Sequence, residues 1–433
     1  MPTIGNHRSC RYSVFGVKKI LQHRGLRLVF VANLVSMLGS GMNGAAVTWF
    51  ILQATHTEVA LGWMIVLQAV PAMLLMPFSG VIIDREDRRH LVMTLDVLRG
   101  VIILIVAVLA FTHHVRVWHV YLMYILVSAG FWVFWPTVAA LVQELTPDSE
   151  FVHSNTFLLT GIQSGWLIAG AIVGFVYNHI GLGGVLLIDA FTYMISFACY
   201  FGVRKGRHVV HRPVAEKIAA VENSVLRYLG EMRDGWDHLR RSRYLSALAI
   251  SWALFLGAML TSGVITAPLS DRILHAGAVG YGWLNGGWAV GAVISAFYVY
   301  RLISFRGPRG ALALGMAFLS LSFFVAPFTH IVPLAVLAYA ISGSARGVAG
   351  IALSSNLMEI VPRHFMGRVQ NTIYFAGTGL QIALALVVGA VAHRISLTLA
   401  FAIIGFLYFL AFLSAYWPIP TPAPVTETET IGA

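Results

Sequence analysis

The sequence predicts an all-α membrane protein with twelve transmembrane helices in two six-helix halves. Three observations carry that expectation: too few charges to cover a soluble fold, a regular succession of long apolar runs, and a duplication at about half the chain length. Of 433 residues, 58% are hydrophobic and 11% charged, and the mean hydropathy is +0.78. Soluble domains carry about 25% charged residues, and disordered chains combine low hydrophobicity with high charge. Both classes are excluded. The net charge of +11, from 29 Lys and Arg against 18 Asp and Glu, would suggest nucleic acid in a soluble chain. Here the cations are topology signals first. Cys10 precedes the first span and Cys199 lies in an apolar helix, so they form no disulfide framework. No removable signal peptide is expected, because the basic start leads into an apolar run too long for an h-region.

A span needs about 20 mostly apolar residues. After a basic N-terminus over 1–25, that ruler places the first half over 26–203, with helices at 26–52, 60–83, 91–112, 117–143, 155–177 and 183–203. A polar linker follows over 204–243. In it Leu226, Leu229, Met232, Trp236 and Leu239 recur at helical spacing among Arg227, Arg233, Asp234, Arg240 and Arg241, the pattern of an amphipathic helix in the membrane interface. The second half covers 244–416, with helices at 244–268, 277–301, 310–328, 331–358, 366–391 and 396–416. The tail, 417–433, is rich in Pro, Thr and Glu and reads as disordered.

The cations set the orientation. With the N-terminus inside, inner segments hold Arg8, Arg11, Lys18, Lys19, Arg24, Arg27, Arg85, Arg88, Arg89, the linker cations, Arg301, Arg306, Arg309, Arg363 and Arg368. Outer loops hold Arg116, Arg272 and Arg394. The asymmetry places both termini in the cytoplasm. Trp49, Trp63, Trp118 and Trp283 then fall near outer helix ends as an aromatic belt, and Trp417 at an inner end.

The halves repeat. Leu61-Gly62-Trp63 opens the second span and Tyr281-Gly282-Trp283 the eighth. Glu144-Leu145-Thr146-Pro147 follows the fourth and Glu359-Ile360-Val361-Pro362 the tenth, and Asn155-Thr156 is echoed by Asn371-Thr372. The shifts are 220, 215 and 216 residues, so the pairs agree within a short indel. Six spans return each repeat to its starting side, so the repeats are parallel. That is a transporter architecture with the substrate site between the halves.

Between spans two and three the sequence reads Gly80-Val81-Ile82-Ile83-Asp84-Arg85-Glu86-Asp87-Arg88-Arg89. This resembles the signature loop of the major facilitator superfamily, Gly-x-x-x-Asp-Arg-x-x-Arg-Arg, and implies that superfamily's fold. Pro71, the Asp96/Arg99 pair, Pro136, the Glu-x-x-Pro ends and Gly367-Arg368-Val369 are similar to the third drug:proton antiporter family. That family includes macrolide-efflux proteins and enterobactin-type siderophore exporters. Two features depart from better-known exporters: span four has no basic residue followed by Gln-Gly, and span five has no Gly-Pro.

The resemblance implies a conformational gate of Gly80, Asp84, Arg85, Arg88 and Arg89. Asp84 docks on the other half when the cytoplasmic side closes, and the arginines pair with inner-end acids such as Glu144. Otherwise the arginines only fix topology. Gly161, Gly165, Gly170 and Gly174 in span five, and Gly282, Gly286, Gly287 and Gly291 in span eight, have the spacing that lets helices approach closely. In the superfamily fold these spans face each other, so the glycines would line a moving seam.

Arg346 lies mid-way along span ten, where a charge costs at least about 2.5–3.5 kcal/mol, so it must face a cavity or a partner. It either contacts an anionic group of the substrate or pairs with Asp189 or a carbonyl. Asp189, about two turns from the outer mouth of span six, is a candidate proton carrier, or caps or pairs. Asp96 and Arg99, three apart, read as a structural pair. Gln163, Asn285 and Asn33 join Arg346 as candidate substrate-binding residues, with Asn43, Gln68, Gln381, Trp132, Trp135, Trp252 and Phe375 as further wall candidates.

No metal site is expected, since nothing has ligand spacing. No cofactor is expected, and no phosphate-cradling loop points to ATP. No nucleophile–base constellation points to an enzyme. The expected function is a secondary active transporter in the bacterial inner membrane, exporting an amphipathic or anionic molecule (a siderophore or drug) against protons. The alternative is an importer or facilitator of a small metabolite or lipid on the same fold. Expected partners are the small-molecule substrate, protons and the lipid bilayer, with no nucleic acid and a monomeric state.

Overall fold

A computed structural model describes residues 23–146, 151–203 and 214–416, with the side chains of all but 76, 79–81, 84–85, 151–164, 167, 171, 214–224 and 363–364. The described chain is a bundle of helices without strands. In order these are α1 (Arg24–Thr55), α2 (Glu58–Arg85), α3 (Arg88–Phe111), α4 (Val117–Leu145), α5 (Phe151–Phe201) and α6 (Val214–Arg240). Then come α7 (Arg243–Thr261), α8 (Gly263–Pro268) running into a π turn (Leu269–Ile273), α9 (Gly277–Val325), α10 (Val332–Ile360), α11 (Arg363–Arg394) and α12 (Leu397–Tyr416). Among the described residues, ten helical segments are long and apolar enough to cross a membrane; α6 is not among them.

Local chemistry sets the turns. α1 stops at His56, which adopts φ 53° and donates its amide to the Leu52 carbonyl at 2.8 Å. Thr57 caps α2 by accepting from the Val59 amide, and Asp87 caps α3 by accepting from the amides of Arg89 and His90. α5 and α9 are each two helices joined at one glycine, Gly181 (φ 64°, ψ −170°) and Gly307 (φ 71°, ψ 165°). These angles strain any residue with a Cβ. A Cβ at either glycine would touch nothing within 4 Å, so conformation and not space requires glycine there. Each helix thus has two arms. The end of the bundle where α1 starts and α12 stops is called proximal here, and the opposite end distal.

The bundle is inverted relative to a soluble protein. Phe297 and Phe305 are 81% exposed, and Leu104, Ile105 and Val108 also face outward. Glu58, Asp96, Arg99 and Asp189 are buried. Exposed apolar surface on this scale fits a lipid surround. Of the expected belt, Trp63, Trp118 and Trp283 are exposed, but Trp49 is not: it is buried and stacks on Tyr281 with ring centroids 6.1 Å apart. A residue near a helix end can face inward as readily as outward, and position along the helix does not distinguish the two.

α6 packs on the proximal end of α11. A Cβ at Gly235 would lie 2.6 Å from the Arg368 carbonyl oxygen, Arg368 Nη1 meets Asp234 Oδ2 at 3.1 Å, and His238 stacks on Phe365. Leu239 is buried, while Leu226, Leu229 and Trp236 are exposed. The apolar residues of the linker helix are therefore divided between the bundle and its surroundings.

Candidate functional site

The helices before α6 meet those after it at the distal end. Glu58, in the first turn of α2, has no accessible surface. Its Oε1 lies 2.8 Å from Nη1 of Arg272 in the π turn, and its Oε2 3.3 Å from Nδ1 of His393 in the last turn of α11. Arg272 Nη2 also donates to the His56 carbonyl at 3.3 Å. The backbones touch beside this cluster: a Cβ at Gly389 would lie 2.8 Å from the Glu58 carbonyl oxygen, and one at Gly62 3.1 Å from the Ala385 carbonyl carbon.

The first arms of α5 and α9 continue the contact. A Cβ at Gly174 would lie 3.1 Å from the Cα atoms of both Gly282 and Val279, and one at Gly170 3.3 Å from the Asn285 Cβ. Phe175 meets Trp283 edge-on at 5.6 Å. Three of the expected seam glycines, Gly170, Gly174 and Gly282, therefore lie on this boundary. Others do not. A Cβ at Gly165 would strike the Leu34 carbonyl oxygen of α1 at 2.7 Å, and one at Gly287 the Val336 carbonyl oxygen of α10 at 2.8 Å. Gly291 abuts Ala340, also on α10. A glycine five residues from a seam glycine lies about 140° around the helix, so runs of small residues serve two faces at once. Gly286 is buried. Gly161 lies outside the described side chains.

Of the signature loop, Gly80, Asp84 and Arg85 lie outside the described side chains. Arg88 joins α3 to α4, with Nη1 2.8 Å from Glu144 Oε1 and 3.0 Å from the Ala140 carbonyl oxygen. Arg89 is buried, and among the described residues no ion pair joins its side chain to an acid. Its Nε donates to the Tyr200 carbonyl at 2.9 Å, its Nη2 donates to the Phe201 carbonyl, and it lies over the Phe201 ring. A cation at the last carbonyls of a helix is favourable on the helix dipole alone, so among the described residues Arg89 serves a helix end.

Asp189 sits wholly buried between α1 and the second arm of α5, accepting from Asn43 Nδ2 at 2.6 Å and from Thr192 Oγ1 at 3.3 Å. It does not pair with Arg346. Asn33 is equally buried, donating to the Val29 carbonyl at 2.7 Å and to the Tyr200 hydroxyl at 2.8 Å. With no accessible surface it presents nothing to a ligand in this conformation. Asp96 and Arg99 form an ion pair at 2.6 Å, with Ser196 donating to Asp96 Oδ2 at 2.6 Å. The Arg99 guanidinium lies between the rings of Phe134 and Tyr193, 4.0 and 4.6 Å from their centroids.

Arg346 is half-buried in α10, its Nε 2.8 Å from Met259 Sδ of α7 and its guanidinium 4.7 Å from the Trp288 centroid of α9. Among the described residues no carboxylate pairs with it. Asn285 donates to the Tyr281 carbonyl at 2.9 Å and rests against Gly170, so it belongs to the boundary and not to an open wall. Gln163 lies outside the described side chains.

Sequence reasoning did not find Glu58 or His393, and it read Arg272 only as a topology cation. One signal was available: an acid at the start of an apolar span, in a chain with few acids, calls for a partner.

A family model described as Major Facilitator Superfamily matches residues 29–370. An uncharacterised MFS-type transporter of Bacillus subtilis (strain 168), YkuC, is 22% identical over 81% of this chain and 82% of its own length. Macrolide efflux protein A of Streptococcus pyogenes is 20% identical over 53% of this chain and 54% of its own length, so that match spans about half of the relative. Among solved structures, the nucleoside transporter NupG aligns with TM-score 0.68 at 15% identity, covering 90% of this chain and 99% of its own. A POT family transporter in complex with 5-aminolevulinic acid aligns with TM-score 0.69 at 13% identity, covering 90% and 95%.

Proposed function

The chain belongs to the major facilitator superfamily, and from that premise we propose a proton-coupled secondary exporter that moves an amphipathic or anionic organic molecule, a siderophore or a drug, out of a bacterial cytoplasm. On this reading the two arms of α5 and of α9 count separately, giving twelve spans in two six-helix halves on either side of α6. The proximal end, with both termini, faces the cytoplasm of a bacterial inner membrane, as the cations argue. The distal contacts hold the outer side shut, so cargo loads from within, and release requires the distal boundary to part.

One observation carries the substrate reading: Arg346 stands in mid-span beside a thioether and an indole, with no acid paired to it among the described residues. A charge taken out of water without a counter-ion is expensive, and an anionic group on the cargo supplies one. Aromatic and thioether walls also suit an amphipathic body. The macrolide-efflux relatives favour export over import.

Inverted inner-membrane vesicles containing the protein test this directly. Energised vesicles should accumulate a radiolabelled catecholate siderophore or erythromycin, and a protonophore should abolish the accumulation. Uptake by intact cells in its place would select import. Failure with both probes in both orientations would remove the reading.

A further inference from the structure

We propose that the seam between α1 and the second arm of α5 encloses a file of water molecules joining Asp189 to the Asp96–Arg99 pair, and that this file carries the coupling proton. The carrier role rests on the proton-driven reading above; the water file stands on geometry alone. α1 presents Asn33, Ser36, Ser40 and Asn43 at i, i+3, i+7 and i+10, which is one helix face. Three of them meet α5: Asn33 bonds Tyr200, Ser40 shares a 2.9 Å hydrogen bond with the Tyr193 hydroxyl, and Asn43 bonds Asp189. Ser196, on the same face of α5, reaches Asp96. A Cβ at Gly39 would lie 2.9 Å from Thr192 Cγ2, so the two helices are closely apposed. Polar groups thus line the interior of the first half over about two turns of α5, roughly 10 Å, between Asp189 and Ser196.

Four buried atoms have no hydrogen-bond partner in the protein: Asn33 Oδ1, Ser36 Oγ and Asn43 Oδ1 on α1, and Nη1 of Arg99 on α3, whose guanidinium lies against Tyr193 of the seam. Their residues are at most 5% exposed. Buried polar atoms are rarely left unpaired. The set also identifies its ligand. Two amide oxygens accept, a guanidinium N–H donates and a hydroxyl does either. A metal cation would suit the oxygens but not the guanidinium, whereas water satisfies all four and typically makes about three hydrogen bonds when buried.

Asp189 and Asp96 are held by different partners, Asn43 and Thr192 for the one and Arg99 and Ser196 for the other, and Tyr193 touches both Ser40 and the Arg99 guanidinium. A proton can then pass by exchange of O–H bonds: each oxygen of the file accepts one proton and releases another, so that a proton taken from solvent when the bundle opens comes to rest on the Asp189 carboxylate while Asp96 stays ionised beside Arg99. Asp96 neutralises Arg99, so the path holds no net cation. This route runs inside one half, apart from the distal boundary between the halves.

Ser36 provides a clean test, because its hydroxyl has no protein partner to lose. Hydroxyl-radical labelling of the full-length protein in oxygen-18 water should modify Tyr193 and Tyr200, despite their burial, about tenfold faster than buried Phe401. Ser36→Ala should lower that labelling and reduce proton-driven probe accumulation severalfold, while leaving gradient-free probe exchange intact; Ser36→Thr should restore accumulation. Labelling no faster than at Phe401 overturns the file. A Ser36→Ala chain with unchanged accumulation, or with exchange and accumulation falling together, overturns the carrier role. A wild-type chain that exchanges probe but ignores a proton gradient refutes proton coupling and with it the carrier role, while labelling still decides the file.

Discussion

Glu58→Gln should release the distal latch. The substitution keeps the shape of the side chain and removes the single negative charge that Arg272 and His393 share. Breaking a buried ion pair costs about 3–5 kcal/mol when the remaining charge stays buried. Here Arg272 and His393 retain 39% and 41% exposure, so water takes up most of the penalty and the net loss falls to roughly 1–2 kcal/mol. Applied to the distal-closed state alone, that loss raises the distal-open fraction about 5- to 30-fold. Spin labels at Ala54→Cys and Asp271→Cys, both exposed and on opposite sides of the boundary, report it by electron–electron double resonance once Cys10 and Cys199 are replaced by Ser. The parent protein should give one short distance, and Glu58→Gln should add a longer population. An unchanged distribution would refute the latch and show that backbone packing alone closes this end.

Three further expectations follow from the same geometry. Gly174→Leu should force the first arms of α5 and α9 apart, lengthening the same spin-label distance and slowing transport, at an overpacking cost of about 1–3 kcal/mol; Gly165→Leu, which faces α1, should lower the melting temperature instead. Asp96→Asn should destabilise the protein by about 3–5 kcal/mol, because Arg99 is left buried and unneutralised, and a thermal-melting series should show Asp96→Leu combined with Arg99→Met recovering part of the loss. Arg346→Lys should weaken transport of an anionic probe more than that of a neutral one, since ammonium lacks the planar fork of guanidinium; equal transport of every probe would sink the anion role.

Most of the helices were legible because lipid imposes a strong rule: a spanning segment must be apolar along its length and satisfy its own backbone. The break at Gly181 fell between two expected helices, as did that at Gly307, since only polar or glycine-containing stretches interrupt the apolar runs. Facing was much less legible. Trp49 and Trp63 sit near the same end, yet one is buried against Tyr281 and the other is exposed. Asn285 and Asn33 are polar residues in apolar helices, but one lies in the boundary and the other is consumed by Tyr200. Which face of a helix meets which neighbour depends on partners far away in the chain, and the latch is the clearest case: Glu58 meets residues from two distant helices, and nothing in its local sequence names them.

The single-glycine break in α5 has a mechanical consequence. Helical hydrogen bonding resumes on both sides of Gly181, so the two arms form one bent rod and not two rods on a slack tether. One arm bears Gly174, pressed against the second half; the other bears Asp189 and Tyr193, inside the first half. If the first arm swings when the distal boundary parts, the second arm turns or bends with it, as in a crank. On the proposed reading, loading of the buried acid and parting of the distal boundary are then two readings of the position of one solid part.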